Sequence, residues 1–151
     1  MALATFLAAG LSGCQHTMPE VHRDELLGTW VYSASDSTVG DSVPRVEITL
    51  NEDNTASVVD FPIRQLRVEE LSDEVVSGEG SWEFQQVVEN IPTIYDDQPG
   101  IRLVVPQPSS PVGDKAARYF AIEKSASQVR LVLYMQYPDV LGKNYVLIRK
   151  S

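Results

Sequence analysis

Cysteine and histidine are nearly absent from this chain, which has one cysteine, Cys14, and two histidines, His16 and His22. Nucleophilic catalysis by a Ser-His-Asp or Cys-His arrangement needs a positioned imidazole. A zinc or copper site needs three or four converging ligands. Both histidines lie near the N-terminus, in a segment with no usable periodicity. We therefore expect no catalytic residue, no metal site and no cofactor.

Positive charge is also scarce. The chain has 12 Lys and Arg against 21 Asp and Glu, a net charge of −9, and no cluster of basic residues reverses this locally. A domain of this charge is repelled at long range by nucleic acids and by anionic lipid surfaces. The composition therefore argues against a nucleic-acid partner, and the acidity itself is explained by solubility.

The apolar run at the N-terminus is too short to span a bilayer. Ala2 to Leu11 is ten residues long, half of the roughly 20 that a spanning helix needs, but this length suits the core of a signal peptide. The segment Leu11-Ser12-Gly13-Cys14 follows directly. One interpretation is an ordinary cleavable signal that leaves a free thiol, and another is an N-terminal strand with a buried cysteine.

A third interpretation comes from the segment Leu11-Ser12-Gly13-Cys14, which resembles the lipobox of bacterial lipoproteins. In that family a signal peptidase cuts before the cysteine, whose thiol and new amino group are then acylated. The resemblance implies a signal peptide over residues 1–13 and a lipid anchor on Cys14. Gln15 stands where Asp would retain a Gram-negative lipoprotein in the inner membrane. The resemblance therefore implies an outer-membrane anchor facing the periplasm, or a cytoplasmic-membrane anchor in a Gram-positive host.

The remaining chain predicts a short tether followed by one domain. Removal of the leader leaves about 138 residues, a length typical of a single compact domain. Residues 14–24 contain Pro19 and have no helical or strand period, so we expect a tether there. The domain is predicted to cover residues 25–151.

Short predicted strands, separated by residues that favour turns, make up most of this domain. A brief helical turn is expected at residues 24–27, and Asn51 to Asn54 predicts the tight turn of a hairpin. Residues 63–76 fit a short amphipathic helix and an edge strand equally well. Side-chain alternation predicts eight strands, at residues 29–33, 45–50, 55–61, 80–86, 101–105, 118–124, 129–136 and 144–150.

Consecutive antiparallel strands must manage their exposed edges, and closure into a barrel removes the edges. We therefore expect an all-β, antiparallel up-and-down barrel of about eight strands. Gly28-Thr29-Trp30 opens the first strand and resembles the G-x-W motif of lipocalins and related calycin barrels. The resemblance implies that Trp30 plugs the closed end and that a late-strand arginine, Arg149 or Arg130, lies across its indole. The second lipocalin motif, T-D-Y, is not present.

The segment Gly80-Ser81-Trp82-Glu83-Phe84 echoes Gly28-Thr29-Trp30-Val31-Tyr32. Each copy is followed by an alternating apolar strand, Ile48-x-Leu50 in one case and Ile101-x-Leu103 in the other. The echo indicates either two halves related by a pseudo-twofold axis or a coincidence between two strands that both need an aromatic residue after a glycine turn.

Two non-catalytic functions fit such a barrel. Eight strands enclose a space that side chains just fill or that holds one small ligand. A small apolar ligand would be lined by inward-facing residues, for which the candidates are Tyr32, Ile48, Val58, Phe84, Leu103, Phe120, Leu131 and Leu133. The alternative is a protein–protein interaction module, or an inhibitor, that acts in the periplasm. It would use the Pro-rich loop Pro106 to Pro111, whose composition favours an extended backbone.

Overall fold

The computed structural model describes residues 20–38, 45–62, 75–86, 98–106, 115–134 and 144–151. The predicted signal peptide, Cys14 and loop residues 107–111 lie outside these ranges, as do residues 63–74 of the ambiguous segment. One 3-10 helix, Arg23–Leu26, precedes eight strands, which are β1 Gly28–Tyr32, β2 Glu47–Leu50, β3 Thr55–Pro62, β4 Val75–Gln85, β5 Gly100–Pro106, β6 Lys115–Lys124, β7 Val129–Tyr134 and β8 Asn144–Arg149.

The strands form a closed antiparallel barrel in chain order. The last strand returns to the first, where Trp30 lies opposite Arg149 and Tyr32 opposite Leu147. The predicted fold class, an up-and-down barrel of eight strands with a short helical turn in front, is therefore confirmed. The largest difference in bounds is at β4, which begins at Val75 and not at Gly80.

Alternation along each strand directs one row of side chains into the barrel. In β5, for example, Ile101, Leu103 and Val105 are buried, whereas Arg102 and Val104 between them are partly exposed. The inward rows of the other strands complete one core cluster with Trp30, Ile48, Val58, Phe61, Trp82, Phe120, Leu131, Tyr145 and Leu147. The hydrophobic core is thus the interior of the barrel.

One irregularity in β3 changes which residues face inward. The pairing of β3 with β4 shifts register between Val58 and Phe61, and Asp60 has a positive φ of 53°. An extra residue in one strand reverses the alternation beyond it. Phe61, which would face solvent in an unbroken strand that buries Val58, is therefore buried and packs edge-on against Phe120 at 6.3 Å between ring centroids.

The two ends of the barrel differ. At the end where β1 begins and β8 ends, called the closed end below, the 3-10 helix and the turn over residues 51–54 lie beside the strand ends. Asn54 adopts a positive φ of 67° in this turn, and its N–H donates to the carbonyl of Asn51 at 3.2 Å. The opposite end, called the far end, is where β1, β3, β5 and β7 finish.

Candidate functional site

Trp30 sits at the closed end and is 0 % exposed. Its indole Nε1 donates a hydrogen bond of 2.8 Å to the carbonyl of Leu26, the last residue of the 3-10 helix. The guanidinium carbon of Arg149 lies 6.0 Å from the centroid of the Trp30 ring, and Arg149 Nη2 donates to the carbonyl of Leu27. Helix, tryptophan and arginine together therefore cover this part of the closed end.

Gly28 lies beside the arginine, and its backbone conformation favours glycine. Its φ is +116°, which L side chains rarely adopt, whereas an added Cβ would be in ordinary contact with Arg149 Nη2 at 3.5 Å. The other candidate for the Trp30 contact, Arg130, is directed elsewhere. Its guanidinium pairs with Glu123 at 2.6 Å and with Asp36 at 3.7 Å. Of the two arginines, the structure places Arg149 across the indole.

A second tryptophan repeats this arrangement at the same end. Trp82 Nε1 donates to the carbonyl of Asn51 at 2.8 Å, and the guanidinium carbon of Arg23 lies 4.8 Å from the ring centroid. Arg23 Nη2 also donates to the carbonyl of Glu52 at 2.6 Å and to Asn54 Oδ1 at 2.7 Å. Both tryptophans thus have an indole N–H bound to a backbone carbonyl and an arginine over the ring.

The echo between the two G-x-W segments therefore extends to the surroundings of the rings, although the two tryptophans pair with different positions of the strands that follow them. Trp30 lies opposite Ile48, whereas Trp82 lies opposite Leu103 and not Ile101. The sequence analysis did not identify Arg23 as a partner of Trp82. The sequence shows only that a basic residue precedes the first strand. No local pattern links that residue to a tryptophan 59 positions later.

The N-terminal segment is fastened to the closed end. Val21 is 3 % exposed and belongs to the core cluster, although the sequence analysis assigned it to the tether. The backbone N–H of His22 and the ammonium of Lys124 both donate to Glu25, and they hold the pKa of that carboxyl below its ordinary value. Lys124 also donates to the carbonyl of Glu20 at 2.7 Å. The chain therefore joins the barrel at its closed end.

The predicted ligand-lining residues all belong to the core cluster or pack against it. Five are no more than 1 % exposed, which leaves no water-sized void beside them, and these are Ile48, Val58, Leu103, Phe120 and Leu131. The other three, Tyr32, Phe84 and Leu133, are partly buried. The described interior is therefore filled by side chains around the first five residues, and any space accessible to a ligand lies towards the ends.

Two polar residues inside the far end were missed by the sequence analysis. Tyr145 is 1 % exposed and stacks on Tyr32 at 4.6 Å between ring centroids. Arg118 shares the inward face of β6 with Phe120 by alternation. Burial raises the pKa of Tyr145 and lowers the pKa of Arg118. The signal for Arg118 was its spacing of two from Phe120.

Within the described ranges, no three side chains of the metal-binding types lie close enough together to hold an ion. No helix in that same part of the chain has the length and hydrophobicity to cross a membrane. No family model, no curated protein and no solved structure matches the chain.

We expect Arg23→Gln and Arg149→Gln each to lower the free energy of unfolding by about 1 to 2 kcal/mol. Each substitution removes a contact with a tryptophan ring and a charged hydrogen bond to a backbone carbonyl. Urea denaturation followed by tryptophan fluorescence measures the change. The matched control is Arg45→Gln, an exposed arginine expected to change stability by less than about 0.5 kcal/mol. Losses equal to that of the control would show that the arginines do not stabilise the closed end.

Proposed function

We propose that this chain is a lipid-anchored protein of the bacterial cell envelope whose barrel is a non-catalytic accessory domain that recognises a protein partner. The observation that carries the proposal is the filled interior, in which Ile48, Leu103 and Phe120 are 0 % exposed. A barrel packed in this way offers its ends and outer surface for binding, and not a deep cavity.

The site where the chain joins the barrel supports an orientation on the membrane. Glu20 and Val21 lie against the closed end, through the hydrogen bond from Lys124 and through the core. Five residues lie between Cys14 and Glu20, and the six extended steps that join the two reach at most about 22 Å. An acyl group on Cys14 would therefore hold the closed end near the membrane and direct the far end outwards.

The far end is also where the Pro-rich segment belongs in the chain. β5 finishes there at Pro106 and β6 begins there at Lys115. The residues between them include Pro108 and Pro111, a composition that favours an extended backbone with free hydrogen-bonding groups. A segment at the end turned away from the membrane is well placed to meet a partner in the periplasm.

The absence of a catalytic role is part of the same proposal. His22, the one histidine in the described ranges, is exposed beside the 3-10 helix and outside the barrel. The single cysteine is assigned to the lipid anchor. Among the described residues, no imidazole or thiol therefore lies within the barrel.

A small apolar ligand is the second candidate, and two residues favour it. Tyr32 and Leu133 belong to the inward rows near the far end, pack against the core and are only partly buried. A ligand that enters from the far end would meet these two side chains before it reached the filled part of the interior. Such a site would be shallow and apolar.

Replacing Cys14 with Ala should abolish acylation in the native host, because it removes the thiol that carries the acyl chains and with them an anchoring energy of about 0.8 kcal/mol per buried CH2 group. Cell fractionation and mass spectrometry of the purified protein measure this, with an acylated mature chain expected from the parent sequence. Ser12→Ala, which leaves Cys14 in place, is the matched control and should remain membrane-bound. An unmodified thiol on the parent protein, with the leader still attached, would contradict the anchor.

Deletion of residues 107–111 should abolish recovery of a specific cross-linked partner from intact envelopes, without loss of the folded barrel. The deletion leaves β5 and β6 intact, so the free energy of unfolding from urea denaturation, followed by tryptophan fluorescence, should stay within about 0.5 kcal/mol of the parent value. Arg149→Gln at the closed end is the control and should retain the partner. Recovery of the same partner after the deletion would rule out the Pro-rich segment as the recognition element.

Titration of the Cys14→Ala protein with 1-hexadecanol, a neutral apolar compound, decides between the two candidates. A filled interior predicts no saturable change in tryptophan fluorescence, since no bound alkyl chain approaches the rings. Oleyl alcohol and 1-decanol extend the series to other chain shapes and lengths, and should give the same flat response. Saturable quenching by any of them would favour the apolar-ligand function over partner recognition.

A further inference from the structure

A groove lies outside the filled interior, at the closed end beside Trp82. It has a volume of about 440 Å³ and is bordered by the ends of β4 and β5 and by the turn over residues 51–54. Pockets for small molecules typically have volumes of about 300 to 1,000 Å³. The residues that matter for its chemistry are Arg23, Trp82, Glu83, Phe84, Arg102 and Val104.

The groove brings together two guanidinium groups whose described partners are all neutral. Arg23 contacts the carbonyl of Glu52, the amide oxygen of Asn54 and the Trp82 ring. Arg102 donates from Nε to the hydroxyl of Tyr119 at 3.3 Å. Within the described part of the chain, neither guanidinium forms an ion pair with a carboxylate.

Three other basic residues of the barrel pair with carboxylates, Lys124 with Glu25 at 2.8 Å, Arg130 with Glu123 at 2.6 Å and Lys150 with Glu47 at 2.8 Å. The described contacts of Arg149, like those of the two arginines in the groove, are with neutral groups. Glu83 stands opposite Arg102 across β4 and β5, so the groove has two positive charges against one negative charge. The groove is therefore a local positive site on an acidic protein.

The remaining walls are mostly apolar. Phe84, which is half-buried, and Val104 provide apolar carbon, whereas Trp82 is only 2 % exposed and lies beneath Arg23. Glu83 adds one exposed carboxylate. The groove thus combines two positive groups and one negative group with apolar walls. Such a surface suits a molecule that has an anionic group at one side and a flat apolar body at the other.

We propose that this groove binds a small organic carboxylate, whose anionic group is held by Arg23 and Arg102 and whose apolar body packs on Phe84 and Val104. Guanidinium groups bind carboxylates through paired, charge-assisted hydrogen bonds. Arg23 is already held by the turn and by the Trp82 ring, so little side-chain freedom is lost on binding. The site goes beyond the proposed function and depends neither on the lipid anchor nor on the Pro-rich segment.

The test uses the full chain with Cys14→Ala and three probes, 1-naphthoate, its neutral amide 1-naphthamide, and inorganic phosphate. The indole N–H signals of Trp30 and Trp82 are followed by NMR and assigned with Trp82→Phe. We expect 1-naphthoate to shift the Trp82 signal saturably and to leave the Trp30 signal in place. The amide and phosphate should bind at least about tenfold more weakly, because each lacks one half of the recognition.

Three variants test how the charges of the groove change the affinity for 1-naphthoate. Arg102→Gln should weaken 1-naphthoate binding about tenfold or more, and Glu83→Gln should tighten it severalfold because a repelling carboxylate is removed. Arg45→Gln changes the net charge as Arg102→Gln does, but lies outside the groove and should leave binding unchanged. Equal affinity for acid and amide, equal affinity for phosphate, no shift at Trp82, or equal effects of the Arg102 and Arg45 variants would each overturn the proposal.

Discussion

Backbone pairing between the first and last strands is the constraint on which the rest of the structure depends. Because β1 pairs with β8 as well as with β2, every strand of the barrel has two neighbours. Closure gives all inward side chains one shared interior, and the residues that meet there leave no exposed surface at Ile48, Leu103 and Phe120. Closure also places β1 and β8 side by side, so that Arg149 reaches the ring of Trp30.

The two tryptophans make the closed end of the barrel different from the far end. Each indole binds a backbone carbonyl of the segment that covers it, and each ring carries an arginine. The 3-10 helix is involved in both arrangements, because it supplies the carbonyl of Leu26 and the guanidinium of Arg23. The closed end, which receives the N-terminal segment, is therefore held together by these contacts. The proposed recognition of a protein partner is assigned to the far end.

Acidic side chains outnumber basic ones, and their arrangement affects what the surface can bind. An excess of acidic residues favours long-range repulsion of nucleic acids and anionic lipids, while Lys124, Arg130 and Lys150 are paired with carboxylates. The groove beside Trp82 holds two further arginines, whose described contacts are with neutral groups. Ligand sites combine apolar walls with a few polar or charged groups, and this groove has both features.

The amino-acid sequence by itself predicted the eight strands, since a period of two and turn residues are local properties. The closed barrel was expected because closure removes the exposed strand edges. The resemblance of Gly28-Thr29-Trp30 to the G-x-W motif implied the inward position of Trp30 and limited its partner to Arg149 or Arg130, but the choice between them depended on strand register. Only the tertiary structure brought Arg23 over Trp82, turned Phe61 inward through the bulge and placed Arg118 inside. These contacts join residues far apart in the chain, and their geometry is set by closure of the whole sheet, which no local pattern encodes.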